Sequence, residues 1–232
     1  MNFKYLGVFV LVFILLTPIG TIFHELGHFA VAKALGYKAS LHYSSVAWEN
    51  DFKIDVIERY LKYEYEIKND LPFKGVEKYK IDVEIINKHD LFILIGGVTQ
   101  TILFGTLSLF LLLFRIKKRI VIKFHLIDWV LTFIALFWSR EIFNLLMGVF
   151  LGFNRNNGIY FYGDEARIAK LLNIPIGTLL LPLGIIAIVV IFIIIYLIPR
   201  KYKSIYLLGA IIGCPLGYLF WMYLIGPIVL PK

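Results

Sequence analysis

An all-α polytopic membrane protein of about five transmembrane helices, with a small β-rich extramembrane insertion, is the fold class this sequence predicts. Three observations carry the prediction. Of the 232 residues, 59% are hydrophobic and the mean hydropathy is +0.79, more apolar surface than one soluble core can bury. The apolar residues gather in five stretches, near 4–35, 91–114, 126–153, 175–198 and 204–230, each long enough to cross the hydrocarbon as a helix. Between the first two lies a polar segment, 37–90, of different patterning. The chain accordingly divides into 1–36, 37–90, 91–174 and 175–232.

A formal charge of +8 in a soluble chain suggests nucleic acid, but the basic residues here cluster at Arg115 to Lys123 and Arg200 to Lys203, flanking apolar runs. They read as anchors to lipid headgroups, and nucleic acid is excluded as a partner. The single cysteine, Cys214, rules out an intrachain disulfide and a cysteine zinc site, so any metal must use His, Asp or Glu.

The first stretch begins with Lys4 and the apolar run Tyr5 to Leu16, and no small-residue cleavage site follows, so it is expected to stay as an anchor. Pro18 and Gly20 are positioned to kink it. It ends in Thr21-Ile22-Phe23-His24-Glu25-Leu26-Gly27-His28-Phe29-Ala30. On a helix His24 and His28 stack on one face while Glu25 is offset by about 100°. Two imidazoles at this spacing can grip one Zn²⁺, and a carboxylate beside the first can move a proton to and from water and a leaving amine. This is the HExxH spacing of zinc peptidases. Polar groups at bilayer depth cost several kcal/mol unless paired or metallated, which favours function over accident.

In residues 37–90, Leu61 to Lys68 and Lys80 to Ile85 alternate with period two and read as half-buried strands joined through Asp70 to Gly75. The next span opens Ile93-Leu94-Ile95-Gly96-Gly97-Val98-Thr99-Gln100-Thr101, whose glycines allow another backbone to approach closely. The third span holds Trp138-Ser139-Arg140-Glu141-Ile142-Phe143-Asn144-Leu145-Leu146, and charges at that depth need partners on other helices. A polar insertion, Asn154 to Gly158, precedes Gly163-Asp164-Glu165-Ala166-Arg167. In the last span, Gly209, Gly213 and Gly217 recur every four residues, a helix-packing stripe with no chemistry.

His-Glu-Leu-Gly-His inside an apolar span, followed by Phe29-Ala30-Val31-Ala32-Lys33-Ala34-Leu35-Gly36, resembles the site-2 protease family of intramembrane zinc metalloproteases. The resemblance extends to 93–101 and 141–172. There Gly96, Gly97 and Gln100 stand for a Gly-Pro-x-x-Asn-like element, and Asn144 opens a counterpart of Asn-Leu-Leu-Pro; both lack the family's proline. It implies Zn²⁺ as cofactor, Glu25 as the proton-transferring carboxylate, and His24, His28 and Asp164 as ligands. Asn144, Gly96, Gly97 and Gln100 would contact the substrate, a membrane-protein segment presented along a sheet edge. Asp164 could also be an ordinary helix cap, with Glu141 the alternative third ligand. The rival reading is an inactive metal-binding or scaffold protein of the same fold. Orientation stays open: the basic runs put Lys4 on the cytoplasmic side, whereas the family's metal helix runs toward the cytosol.

Overall fold

The computed structural model describes residues 3–117, 124–154 (backbone only from 151) and 163–231. The expected basic residues 118–123 and the insertion residues 155–158 lie outside this description. The protein is helical and polytopic, with five helices long and apolar enough to cross a membrane and one small antiparallel sheet.

The spanning helices are α1 (Phe3–Ala34), α4 (Val76–Lys117), a composite of α5 (Leu126–Ala135), a 3₁₀ turn and α6 (Ser139–Asn154), then α8 (Gly177–Leu197) and α9 (Arg200–Leu219). A π-helical turn, Phe220–Ile225, continues α9 into the short α10 (Gly226–Val229). The polar segment contributes a hairpin of β1 (Lys38–Leu41) and β2 (Val46–Glu49), then α2 (Asp51–Lys62) and α3 (Glu64–Lys68). Between the third and fourth spans lies α7 (Asp164–Leu171).

All five spans meet in one apolar cluster. Phe9 and Phe13 of α1, Leu109 of α4, Ala135 and Trp138 of the third span, Ile194 of α8 and Tyr206 of α9 are buried together. Lipid tails are as apolar as these side chains, so close packing rather than water exclusion must hold the helices. The glycine stripe supplies it: a Cβ on Gly209, Gly213 or Gly217 would lie 2.6–2.7 Å from atoms of Phe9, Phe13, Val10, Ile14 or Thr17. Helix α1 runs unbroken through Pro18, and the Ile14 carbonyl, which Pro18 deprives of its helical donor, is covered by Gly217.

The expected strands at 61–68 and 80–85 are corrected: 64–68 is α3, Leu61 and Lys62 close α2, and 80–85 is an early part of α4. Alternation over so few residues fits either period, and side-chain pairing decides. Asp55 with Arg59 and Glu64 with Lys68 are i,i+4 ion pairs, and Arg59 also grips the buried Asp82 of α4. From Asp82 on, the buried residues of α4 (Ile86, Ile93, Gly97, Thr101, Ser108, Leu112) follow helical spacing. The strands lie earlier, paired Lys38 to Glu49 and Leu41 to Val46. Ala39 and Trp48 pack on Ala32, Tyr37 and Ile93, which presses the hairpin onto α1 and α4 beside the HExxH segment.

Candidate metal centre

The site forms where α1 and α4 touch backbone to backbone. Gly27 faces Gly96 and Gly97 so closely that a Cβ on Gly27 would sit 2.5 Å from the Gly96 oxygen. Gln100 Nε2 donates to the Phe23 carbonyl at 2.6 Å, tying α4 to α1 one residue before His24. Any side chain on Gly97 would occupy the place of the imidazoles, since its Cβ would overlap His28 Cε1 and Nε2 and lie 2.9 Å from His24 Nε2. Gly96, Gly97 and Gln100 therefore build the seat of the histidines.

Each histidine is held in one tautomer by its neighbour on α4. Thr101 Oγ1 spends its hydrogen on the Gly97 carbonyl at 3.0 Å, so toward His24 Nδ1, at 2.8 Å, it accepts and Nδ1 carries the proton. His28 Nδ1 lies 2.7 Å from the Ile93 carbonyl, which can only accept. When the rings are neutral, each keeps its lone pair on Nε2. These two nitrogens are 2.9 Å apart, and Asp164 Oδ2 lies 2.8 Å from the first and 3.3 Å from the second. With both rings neutral, three acceptors converge on one point, an arrangement that a metal ion satisfies and that a proton shared between Nε2 and Asp164 Oδ2 would satisfy in its place.

His24, Glu25 and His28 are all buried, their candidate ligand atoms lie within 4.8 Å of one another, and this group could hold a metal ion. Asp164 adds a carboxylate oxygen at shorter range to both rings. Two nitrogens and a carboxylate, without sulfur, form a donor set suited to a first-row divalent ion. Glu25 also lines the adjoining cleft.

Helix α7 delivers Asp164. Its Ile168 packs on Leu94 and Val98 of α4, while Arg167 and Lys170 face outward. Gly163, at φ 98°, turns the chain into the helix and leaves no room for a side chain, as a Cβ would meet Glu165 Oε2 at 2.9 Å and Asn144 Nδ2 at 3.0 Å. Asp164 is the first residue of α7 and its cap position is Gly163, without a side-chain capping bond. The Asp164 carboxylate instead turns to the histidines and to Arg140 Nη2, 3.3 Å away.

Arg140 and Glu141 reach different partners, as neighbours 100° apart must. Glu141 is fully buried beside Glu165, and neither of its oxygens meets a hydrogen-bond donor among the described residues. Asp164, not Glu141, is the carboxylate within hydrogen-bond distance of both histidine Nε2 atoms. Asn144 Nδ2 donates to Glu165 Oε2 at 3.1 Å, latching α7 to α6, and burial pushes the Glu165 carboxyl up. Sequence reading overlooked Thr101, the Ile93 carbonyl and Glu165. Thr101 alone carried a signal, one turn after Gly97 on the same helix face.

A cleft of about 1000 Å³ opens from this centre. Its walls include Ser44, Ser45 and Val46 at the hairpin, Asn144 on α6, and Tyr218 and Tyr223 near the end of the last span. That span end is fastened over the hairpin, with Trp221 Nε1 donating to the Tyr43 carbonyl at 2.8 Å. Comparison with protein-family models, with curated proteins and with solved structures finds no match for this chain.

Proposed function

We propose that this chain is an intramembrane zinc metalloprotease of the site-2 protease kind, cutting peptide bonds of membrane-protein substrates from within a cell membrane. The observation that carries the reading is the convergence of His24 Nε2, His28 Nε2 and Asp164 Oδ2 beside a cleft lined by Glu25, His28 and Asp164. His24, His28 and Asp164 would hold the ion, and Thr101 and the Ile93 carbonyl keep both rings in the ligating tautomer. Bound there, Zn²⁺ supplies Lewis acidity toward a peptide carbonyl and water.

Glu25 is the proton carrier: its buried carboxylate accepts a proton from the attacking water and returns it to the departing amide nitrogen. Arg140 Nη2, 3.3 Å from Asp164 Oδ2, keeps the Asp164 carboxylate oriented toward the histidines. Substrate must enter unwound, because a helix hides its carbonyls in its own hydrogen bonds. The hairpin wall at Ser44 to Val46 offers backbone groups to such an extended segment.

The test uses wild type and Glu25→Gln, purified in detergent, with zinc per chain and cleavage of a fluorogenic membrane peptide measured on each. Zinc near one per chain in both, with turnover only in wild type, is expected, since the amide cannot take up the proton. Zinc without cleavage in wild type would favour a metal-binding scaffold, and loss of zinc in Glu25→Gln would make Glu25 a ligand.

A further inference from the structure

The metal cleft does not end at Asp164. A second cavity, of about 480 Å³, lies between α4 and α7 and shares Leu94, Arg167 and Lys170 with the first, so the two form one continuous groove. Its acidic wall residue, Asp90, is already taken by Trp48 Nε1 at 2.7 Å and Lys53 Nζ at 3.2 Å. Arg140 is likewise committed to Asp164. Arg167 and Lys170 differ: both are exposed, they stand three apart on one face of α7, and neither makes a side-chain hydrogen bond or ion pair among the described residues. Two uncommitted cations lining one groove, whose carboxylates Asp90 and Asp164 are already paired, call for an anion from outside.

Resting on the protease reading above, we propose that Arg167 and Lys170 select an acidic residue in the substrate segment. The helix itself sets the spacing. From Asp164, α7 rises ~4.5 Å to Arg167 and ~9 Å to Lys170, and an extended chain advances ~3.3 Å per residue, so the carboxylate falls roughly one to three residues from the cleaved bond. Arg167 suits it best, because guanidinium matches a carboxylate in bidentate geometry.

The experiment compares fluorogenic membrane peptides carrying Glu, Gln or Lys at the second residue on either side of the scissile bond. Their kcat/KM is measured with wild type, R167Q/K170Q and R167E/K170E, and their Kd with zinc-loaded Glu25→Gln by fluorescence anisotropy. Wild type should favour Glu over Gln by about tenfold or more, the loss typical of a missing charge-assisted hydrogen bond. In R167Q/K170Q the ratio should fall toward one, and R167E/K170E should turn the preference to Lys. An unchanged ratio in both variants overturns the proposal.

A parallel arm repeats the assay in phosphatidylcholine vesicles with and without phosphatidylglycerol. If these residues instead hold lipid phosphate, anionic lipid will raise turnover of every peptide in wild type and not in R167Q/K170Q, with no Glu preference, and the proposal fails. If wild type cleaves nothing while the Kd ranking of Glu over Gln survives, acidic recognition stands and the protease reading falls.

Discussion

Replacing Gly97 by alanine is the sharpest probe of how the two central helices make the candidate metal centre. The added methyl has nowhere to go: it would overlap His28 Cε1 and Nε2 and lie 2.9 Å from His24 Nε2, against an ordinary carbon contact of about 3.5–4.0 Å. Either the imidazoles swing away, breaking the bonds to Thr101 and to the Ile93 carbonyl, or α4 backs off α1 and stretches Gln100 from the Phe23 carbonyl. Overpacking of this kind costs about 1–3 kcal/mol, which corresponds to a weakening of zinc binding by roughly 5- to 150-fold if it falls wholly on the loaded geometry. The assay is a competitive zinc titration of purified protein, paired with thermal melts with and without metal. Gly7→Ala is the control, since nothing lies within 4 Å of a Cβ there. Equal zinc affinity and equal stability in Gly97→Ala and wild type would refute the claim that glycine at 97 makes room for the ligands.

Three further outcomes follow from the same geometry. Asp164→Ala should lower zinc occupancy together with activity, whereas loss of a mere helix cap costs only about 1 kcal/mol and spares the metal; depletion in Glu141→Ala alongside full occupancy in Asp164→Ala would move the third ligand to Glu141. Thr101→Val removes the acceptor that fixes the His24 tautomer and should weaken zinc binding by about 10- to 100-fold, with Thr101→Ser largely restoring it in the same titration. Gly213→Val would force a side chain into Phe13 and the Val10 carbonyl and should lower the midpoint of thermal unfolding in detergent, an effect that the outward-facing Ile212→Val should not reproduce.

Composition and periodicity were enough to read the five spans, because a helix in lipid announces itself through about twenty apolar residues whatever it packs against. The spacing of His24, Glu25 and His28 was equally local, since three positions on one helix share geometry without outside help. The glycine stripe of the last span was legible as a packing face, though not its partner, α1. Residues 61–68 and 80–85 misled because short alternation satisfies two periods at once; the ion pair of Arg59 with Asp82 joins helices more than twenty residues apart and leaves no local mark.

That Asp164 and not Glu141 lies against the histidine Nε2 atoms also belonged to the tertiary structure. Both are carboxylates near apolar spans, and only the turn at Gly163 and the seating of Ile168 on α4 bring one of them to the histidines. Thr101 and the Ile93 carbonyl were invisible for the same reason: an ordinary hydroxyl and a backbone oxygen become tautomer-setting partners only when two helices close to glycine contact. Short-range pattern thus determined which helices are apolar enough to span and which residues could bind metal, while long-range packing decided which ring nitrogens and carboxylate oxygens meet.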